Sequence, residues 1–180
     1  MDSFPSPAIS GDRLDLREYG AEDLALASEV VAAGEPAALP PGFPSTTTEL
    51  AEWFANGKNS AGRDSALHMM MFDRASGRIV GSIGVFHPDW EVRSAEIGYG
   101  VRATERGKGY ATEALAAVAA WLLTSAGIQR AWLTANTDNI ASIKVAEKAG
   151  FHREGTMRRA AMEEDGLHDL AVFSLLDDEL

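Results

Sequence analysis

The fold of this chain is decided between residues 96 and 112, which read Glu96-Ile97-Gly98-Tyr99-Gly100-Val101, a short polar link, and then Arg106-Gly107-Lys108-Gly109-Tyr110-Ala111-Thr112. The first part predicts an apolar strand, and the second opens a long helical pattern. Glycines at such a junction let the backbone approach a ligand, and the first helical turn presents N–H groups that lack a partner within the helix. Together with the helix dipole and the basic side chains of Arg106 and Lys108, these N–H groups favour the binding of an anion. The stretch therefore predicts a pyrophosphate-binding loop.

Other interpretations of this loop fit the spacing less well. A Walker loop requires glycine where Arg102 stands, and Ser or Thr where Gly109 stands. The segment 98–103 fits a dinucleotide fingerprint, but the helix starts too late, and no acidic residue ends a second strand about 20 residues later. A glycine-rich turn with incidental basic residues is the structural alternative. What these motifs leave unexplained is the spacing Arg106-x-x-Gly109-x-Ala111.

That spacing resembles the pyrophosphate loop of the GNAT superfamily of N-acetyltransferases, which holds acetyl-CoA. A second segment, Asn139-Ile140-Ala141-Ser142 with the later Glu147-Lys148-Ala149-Gly150-Phe151, resembles the family's other CoA-binding motif. Its Asn-x-x-Ser is similar to the RimJ/RimL-like branch, which includes acetyltransferases of ribosomal-protein N-termini and of small amines. The resemblance implies acetyl-CoA as cosubstrate. It implies cofactor contacts from Tyr99, Gly100, Val101, Arg106, Gly107, Lys108, Gly109, Tyr110, Ala111, Thr112, Asn139 and Ser142.

The order of the predicted elements gives the fold class. Hydrophobic periodicity and turn residues predict a strand, two helices, a three-strand meander with a turn at His87-Pro88-Asp89-Trp90, a helix, a strand, a helix and a hairpin about Asp165-Gly166. The GNAT fold has the same order. We therefore expect an α/β (mixed α+β) protein with a central, mostly antiparallel twisted sheet of about seven strands and about four helices. Residues 1–180 are expected to form a single domain, with 1–11 as a flexible N-terminal arm.

Composition limits the partners and the compartment. The chain has no cysteine, which excludes disulfides and thiolate metal sites, and its four histidines lack a metal-binding spacing, so no metal is expected. Its 16 basic and 27 acidic residues give a net charge of −11, which disfavours nucleic acid and anionic lipid and favours cationic amines. The alternative is that this charge mainly keeps the protein in solution. No signal-peptide pattern or membrane-spanning run is found in the sequence. We expect a cytoplasmic monomer or homodimer.

Acetyl transfer requires a neutral amine, although most amines are protonated at pH 7. The resemblance implies that Glu96 is the general base, whereas an ion-pairing role at a strand edge is the alternative. Free N–H groups near Val101 are expected to polarise the thioester carbonyl. Many family members carry a proton-donating tyrosine where this chain has Ala146. The proton for the leaving thiolate is therefore expected from Ser142, Asn139 or a water molecule, although Ser142 could equally be a helix-capping residue.

Two functions from different classes follow from these observations. The first is an N-acetyltransferase that moves the acetyl group of acetyl-CoA to a protein N-terminal amine or a small-molecule amine. The second is a non-catalytic CoA-binding module of the same fold that acts as a sensor or interaction partner. Glu96 favours the enzyme, and the absence of tyrosine at position 146 keeps the binding module open.

Overall fold

The computed structural model describes residues 4–5, 7, 9–55, 66–163 and 165–180. The described residues form four α-helices and eight strands. The helices are α1 (Leu24–Ala32), α2 (Thr47–Ala55), α3 (Tyr110–Thr124) and α4 (Ile140–Lys148). The strands are β1 (Ile9–Ser10), β2 (Leu14–Arg17), β3 (Ala66–Asp73), β4 (Ile79–Asp89), β5 (Ser94–Val101), β6 (Arg130–Asn136), β7 (His152–Glu163) and β8 (Gly166–Leu176).

All eight strands belong to one sheet in the order β1-β2-β3-β4-β5-β6-β8-β7. Every neighbouring pair is antiparallel except β5 and β6, which are parallel and are connected through α3. This arrangement confirms the predicted mixed α/β class with a mostly antiparallel sheet. None of the helices in the described part of the chain is long and apolar enough to cross a membrane.

The N-terminal segment differs from the prediction of a loose arm in the residues that the structure describes. Ile9 pairs with Leu16 of β2, and this short strand raises the count from about seven to eight. Phe4 and Ile9 are both buried, because these apolar side chains pack against the main core. Residues 4–11 show no alternating hydrophobic pattern from which this packing could be predicted.

Two hydrophobic cores cover the two faces of the sheet. The larger core joins α3 and α4 to one face and contains Ala95 and Ile97 of β5. The smaller core joins α1 and α2 to the other face, with an aromatic group of Tyr19, Phe43, Trp53 and Phe54. Side chains of a strand alternate between faces, so Glu96 lies on the face opposite to Ala95 and Ile97.

The sheet splits in its middle, between β5 and β6. Only Ser94, Ala95 and Glu96 of β5 pair with β6, where their partners are residues 130–132. Beyond this point β5 remains paired with β4 as far as Val101, and β6 remains paired with β8. The edge of β5 beyond Glu96 therefore faces an opening.

Some element boundaries differ from the sequence prediction. The segment predicted as a turn at His87 belongs to β4, which continues to Asp89 through an irregularity in its pairing with β5. The proline-rich loop includes a short 3-10 helix at Pro36–Ala38, which uses proline in a first helical turn. In the sequence, Gly57 predicts the end of the second helix, and this residue lies outside the described residues.

Candidate active site

A cleft of about 450 Å³ opens between the end of β5, the start of α3 and one face of α4. Its position follows from the split in the sheet, because no strand in the described part of the chain fills the space beside β5 after Glu96. The cleft is lined by Tyr99, Gly100, Val101, Glu105, Arg106, Gly107, Gly109, Tyr110, Ala111, Thr112, Asn139, Ala141, Ser142, Lys144, Val145 and Lys148. All the residues predicted to contact the cofactor are in this set except Lys108.

The loop before α3 presents backbone donors to the cleft. Gly109 is the N-cap of α3 and has a φ of 87°, a left-handed conformation that glycine adopts without strain. Among the described residues, no acceptor is found for the N–H groups of residues 107–112. A helix N-terminus with unpaired N–H groups is a suitable site for phosphate.

Several basic side chains lie along the cleft near this loop. Lys108, which the sequence predicts to contact the cofactor, is not among them. Lys108 instead donates to the Glu105 carboxylate at 2.7 Å, because this nearly buried acid needs a counter-charge. Arg106 lines the cleft, as do Lys144 and Lys148 of α4, which were not predicted. These two lysines could have been predicted from the sequence, because helical spacing places Ala141, Val145 and Lys148 on one face of α4, next to Lys144.

A hydrogen-bonded pair crosses the cleft from β5 to α4. The Tyr99 hydroxyl lies 3.3 Å from Ser142 Oγ and 3.4 Å from the Ser142 carbonyl oxygen. Burial raises the pKa of Tyr99, so the phenol stays protonated and donates. Asn139 Oδ1 accepts the Ser142 N–H at 3.0 Å and caps α4. Ala146 is fully buried, so the position of the family's tyrosine faces the core in this chain.

Glu96 does not line this cleft. Its carboxylate lies on the other face of β5, where the pairing between β5 and β6 ends. Oε2 lies 2.9 Å from His87 Nδ1 of β4, and Oε1 accepts from Thr134 Oγ1 of β6 at 3.5 Å. The carboxylate therefore spans the strands on both sides of β5, at the narrow end of the opening.

A buried ion pair fixes the chain where it leaves β5. Arg102 Nε donates to Glu35 Oε2 at 2.7 Å, and the Ala103 N–H donates to Glu35 Oε1 at 2.6 Å. Both charged side chains are largely buried. Close packing continues at Gly100, where a Cβ would lie 2.7 Å from the carbonyl oxygen of Ala37. The loop that contains Glu35 thus holds the backbone that leads into residues 106–109, the candidate anion-binding loop before α3.

Replacing Glu35 with glutamine is expected to lower the free energy of unfolding by about 3 kcal/mol at pH 7, because buried Arg102 loses its counter-charge. The hydrogen bond from Arg102 holds the pKa of Glu35 below its usual value, against the opposing effect of burial. A depressed folded-state pKa gives stability above the unfolded-state pKa that is lost as pH falls through the folded-state value. Urea unfolding from pH 7 to pH 3 should therefore show the two proteins converging in acid.

The matched control is Glu29→Gln, which removes one exposed carboxylate from the neighbouring helix α1. Its free energy of unfolding should stay within about 0.5 kcal/mol of the original value. A gap between the Glu35→Gln and original proteins that stays constant down to pH 3 would contradict the assigned role of the ion pair.

A second group of polar side chains lies at the turn between β7 and β8. One oxygen or nitrogen atom from each of Glu163, Asp165 and His168 lies within 4.8 Å of the others. The Asp165–His168 hydrogen bond of 2.7 Å lowers the pKa of Asp165 and raises the pKa of His168. Because exposed acidic groups often cluster without an ion, we assign no metal to this turn.

Comparison with known families and curated proteins gives one consistent result. A model described as "Acetyltransferase (GNAT) domain" matches residues 13–152. The chain is 30% identical over 120 residues to the probable N-acetyltransferase YjcK of Bacillus subtilis (strain 168), covering 65% of this chain and 66% of that protein. The chain aligns with 57% to 66% of the length of the first curated relatives that it matches.

Solved structures with the same fold cover nearly the whole chain. Mycobacterium smegmatis RimJ, solved with a CoA-disulfide, is similar with a TM-score of 0.81 and 22% identity, covering 100% of this chain and 92% of that chain. RimL, described as a ribosomal L7/L12 alpha-N-protein acetyltransferase in complex with CoA, has a TM-score of 0.76 and 19% identity, with 99% of both chains covered. At these identities the similarity establishes the fold.

Proposed function

Because the chain belongs to the GNAT family of acetyltransferases, we propose that it transfers an acetyl group from acetyl-CoA to a primary amine. The acceptor is a protein N-terminal amine or a small-molecule amine. The net charge of −11 favours acceptors that are positively charged. The proposal places this reaction in the cytoplasm, in a monomer or homodimer.

The observation that carries this proposal is the split between β5 and β6 beside the anion-binding loop. A ligand that enters the split meets unpaired N–H groups at the start of α3 and the edge of β5 at Val101, which pairs with no described strand on that side and whose carbonyl oxygen accepts from Arg106 Nε at 3.2 Å. Arg106, Lys144 and Lys148 add positive charge along the same cleft. These groups suit a molecule with a pyrophosphate at one end and a group that hydrogen-bonds to a strand edge at the other.

The residues of the cleft suggest how the reaction proceeds. N–H groups at the edge of β5 near Val101 stabilise the negative charge that develops on the thioester oxygen. Glu96 lies on the opposite face of the strand, so the amine approaches from that face and loses a proton there. Ser142, fixed by Tyr99 and the Asn139 cap, lies within the cleft, where it or a water molecule protonates the thiolate.

The proposal is tested by mixing the purified protein with acetyl-CoA and a panel of amines while free thiol is measured. The panel contains peptides with free N-termini, because RimL is described as an alpha-N-protein acetyltransferase, together with amino acids and polyamines. We expect thiol release that requires one of these amines and a product heavier by one acetyl group. An amine-free reaction and a heat-unfolded sample serve as controls.

The non-catalytic binding module predicts a different outcome. It binds acetyl-CoA in a calorimeter but releases no thiol with any amine of the panel. That result would contradict the proposed activity, whereas it would leave the assignment of the cleft intact.

A further inference from the structure

We propose that His87 and Glu96 form one proton-transfer unit, in which His87 Nε2 takes the proton from the acceptor amine and Glu96 orients the imidazole ring through Nδ1. This inference rests on the acetyl transfer proposed above. It adds a residue to the reaction that the sequence placed in a turn, and it changes the part that Glu96 plays.

The contacts of the two side chains support this assignment. His87 Nδ1 lies 2.9 Å from Glu96 Oε2. The Glu96 side chain is 20% exposed, whereas that of His87 is 76% exposed. The carboxylate is also held at Oε1 by Thr134 at 3.5 Å. The more buried carboxylate is therefore fixed between two strands, and the imidazole presents its other nitrogen outward.

An irregular backbone conformation at His87 brings its side chain to Glu96. Phe86 of β4 pairs with Glu96, so these two side chains lie on the same face of the sheet. In a regular strand the next residue, His87, would lie on the opposite face, away from Glu96. Instead, the pairing of β4 with β5 is irregular between Phe86 and Asp89, and His87 has a φ of 47°. This left-handed conformation is strained for a residue with a side chain, and it turns the imidazole toward Glu96.

The arrangement is suited to proton transfer in one direction. Neutral His87 donates its Nδ1–H to the Glu96 carboxylate, which leaves a lone pair on Nε2. The acceptor ammonium gives one N–H proton to Nε2, and the neutral amine nitrogen forms a bond to the thioester carbon as the carbon–sulfur bond breaks. The nitrogen then loses its second proton, which reaches the leaving thiolate through Ser142 or a water molecule and leaves a neutral amide and a free thiol. The carboxylate stabilises the imidazolium that results. Because the ring is exposed, the imidazolium then releases its proton to water.

A second histidine on this face is less suited to the task. His68 packs its ring against Phe86 with 5.1 Å between ring centroids, and its Nδ1 is buried without a partner among the described residues. Burial lowers the pKa of His68, which makes it a weaker base. Neither of its nitrogens is hydrogen-bonded to a described carboxylate that could stabilise a charged ring.

Two substitutions at His87 separate proton transfer from structure. Asparagine tolerates the left-handed conformation and can still donate to Glu96, but it cannot accept a proton at this position. Glycine relieves the backbone strain and leaves space for a free imidazole molecule. His152→Asn serves as the control, because His152 is also a largely exposed histidine whose neighbouring carboxylate, Glu179, lies 3.9 Å away.

Both His87→Asn and His87→Gly should lower kcat by about 10² or more, with the KM for acetyl-CoA unchanged. Imidazole added to His87→Gly should restore activity in proportion to its concentration, and it should not restore Glu96→Gln, which retains His87 but lacks the orienting carboxylate. His152→Asn should keep the original kcat. His87→Gly should unfold at no lower temperature than the original protein, because its backbone strain is relieved.

Two outcomes would overturn the inference while leaving the acetyl transfer established. In the first, His87→Asn and His87→Gly keep the original kcat and Glu96→Gln does not, so Glu96 takes the proton without the histidine. In the second, kcat falls in both variants but imidazole restores nothing, so His87 only holds the carboxylate in place. Failure of the acetyl transfer itself is distinguished by the original protein, which would then release no thiol with any amine.

Discussion

Replacing Glu96 with glutamine is expected to lower kcat by about 10² to 10⁴, since a group that takes part in proton transfer typically contributes that much. Glutamine keeps the shape of the side chain but cannot stabilise a protonated His87 or accept a proton itself. Because Glu96 lies outside the cleft, the KM for acetyl-CoA should change little. Steady-state kinetics with saturating amine measure kcat and the KM for acetyl-CoA, and a single-turnover experiment measures the rate of the chemical step.

Two comparisons make this result specific to Glu96. Glu91→Gln removes an exposed carboxylate from the turn that precedes β5 and should leave kcat unchanged. Thermal unfolding of Glu96→Gln measures whether the lost contacts to His87 and Thr134 have changed the fold. Turnover close to the original rate, with chemistry shown to be the slow step, would remove Glu96 from the mechanism.

Replacing Gly109 with valine is expected to weaken acetyl-CoA binding by at least about 100-fold, through strain at a left-handed position and a blocked approach to phosphate. The φ of Gly109 is 87°, which a β-branched residue adopts only at a high energetic cost. The residue also caps α3, so a shift there would redirect the unpaired N–H groups of the loop. Calorimetric titration with CoA measures the affinity directly.

The control for strain lies at the other end of the same helix. Gly127 has a φ of 78°, and a Cβ there would meet no atom within 4 Å. Gly127→Val therefore introduces comparable strain just beyond the end of α3 without touching the anion-binding loop. We expect it to lower thermal stability while keeping the affinity for CoA. Equal affinities in folded Gly109→Val and the original protein would show that pyrophosphate binds elsewhere.

Much of the cleft could be predicted from the sequence because its determinants are local. The turn before α3 depends on glycines within a few residues of one another, and the start of α4 depends on the reach of Asn139 to the N–H three residues later. Alternation along β5 likewise fixes which side of the strand Glu96 occupies. Short-range rules of this kind can be read from residue types alone.

The rest of the site depends on contacts that no local rule encodes. Glu35 and Arg102 are far apart in the sequence, and each alone resembles an ordinary surface charge. His87 precedes a proline and an aspartate, which indicate a turn, and nothing in these residue types specifies the irregular strand that brings it to Glu96. Lys108 has the charge expected for phosphate binding, but it forms an ion pair with the nearby Glu105 instead.

The split between β5 and β6 also has a mechanical consequence. Three residue pairs join a five-stranded half of the sheet, β1 to β5, to a three-stranded half, β6 to β8. A ligand lying between the halves would contact β5 and α3 on one side and α4 on the other, and so would link the two halves where three residue pairs join them. Since a ligand that binds only the folded chain stabilises it as RT ln(1 + [L]/Kd), we expect the resistance of this protein to unfolding to rise with the concentration of acetyl-CoA, its proposed cosubstrate.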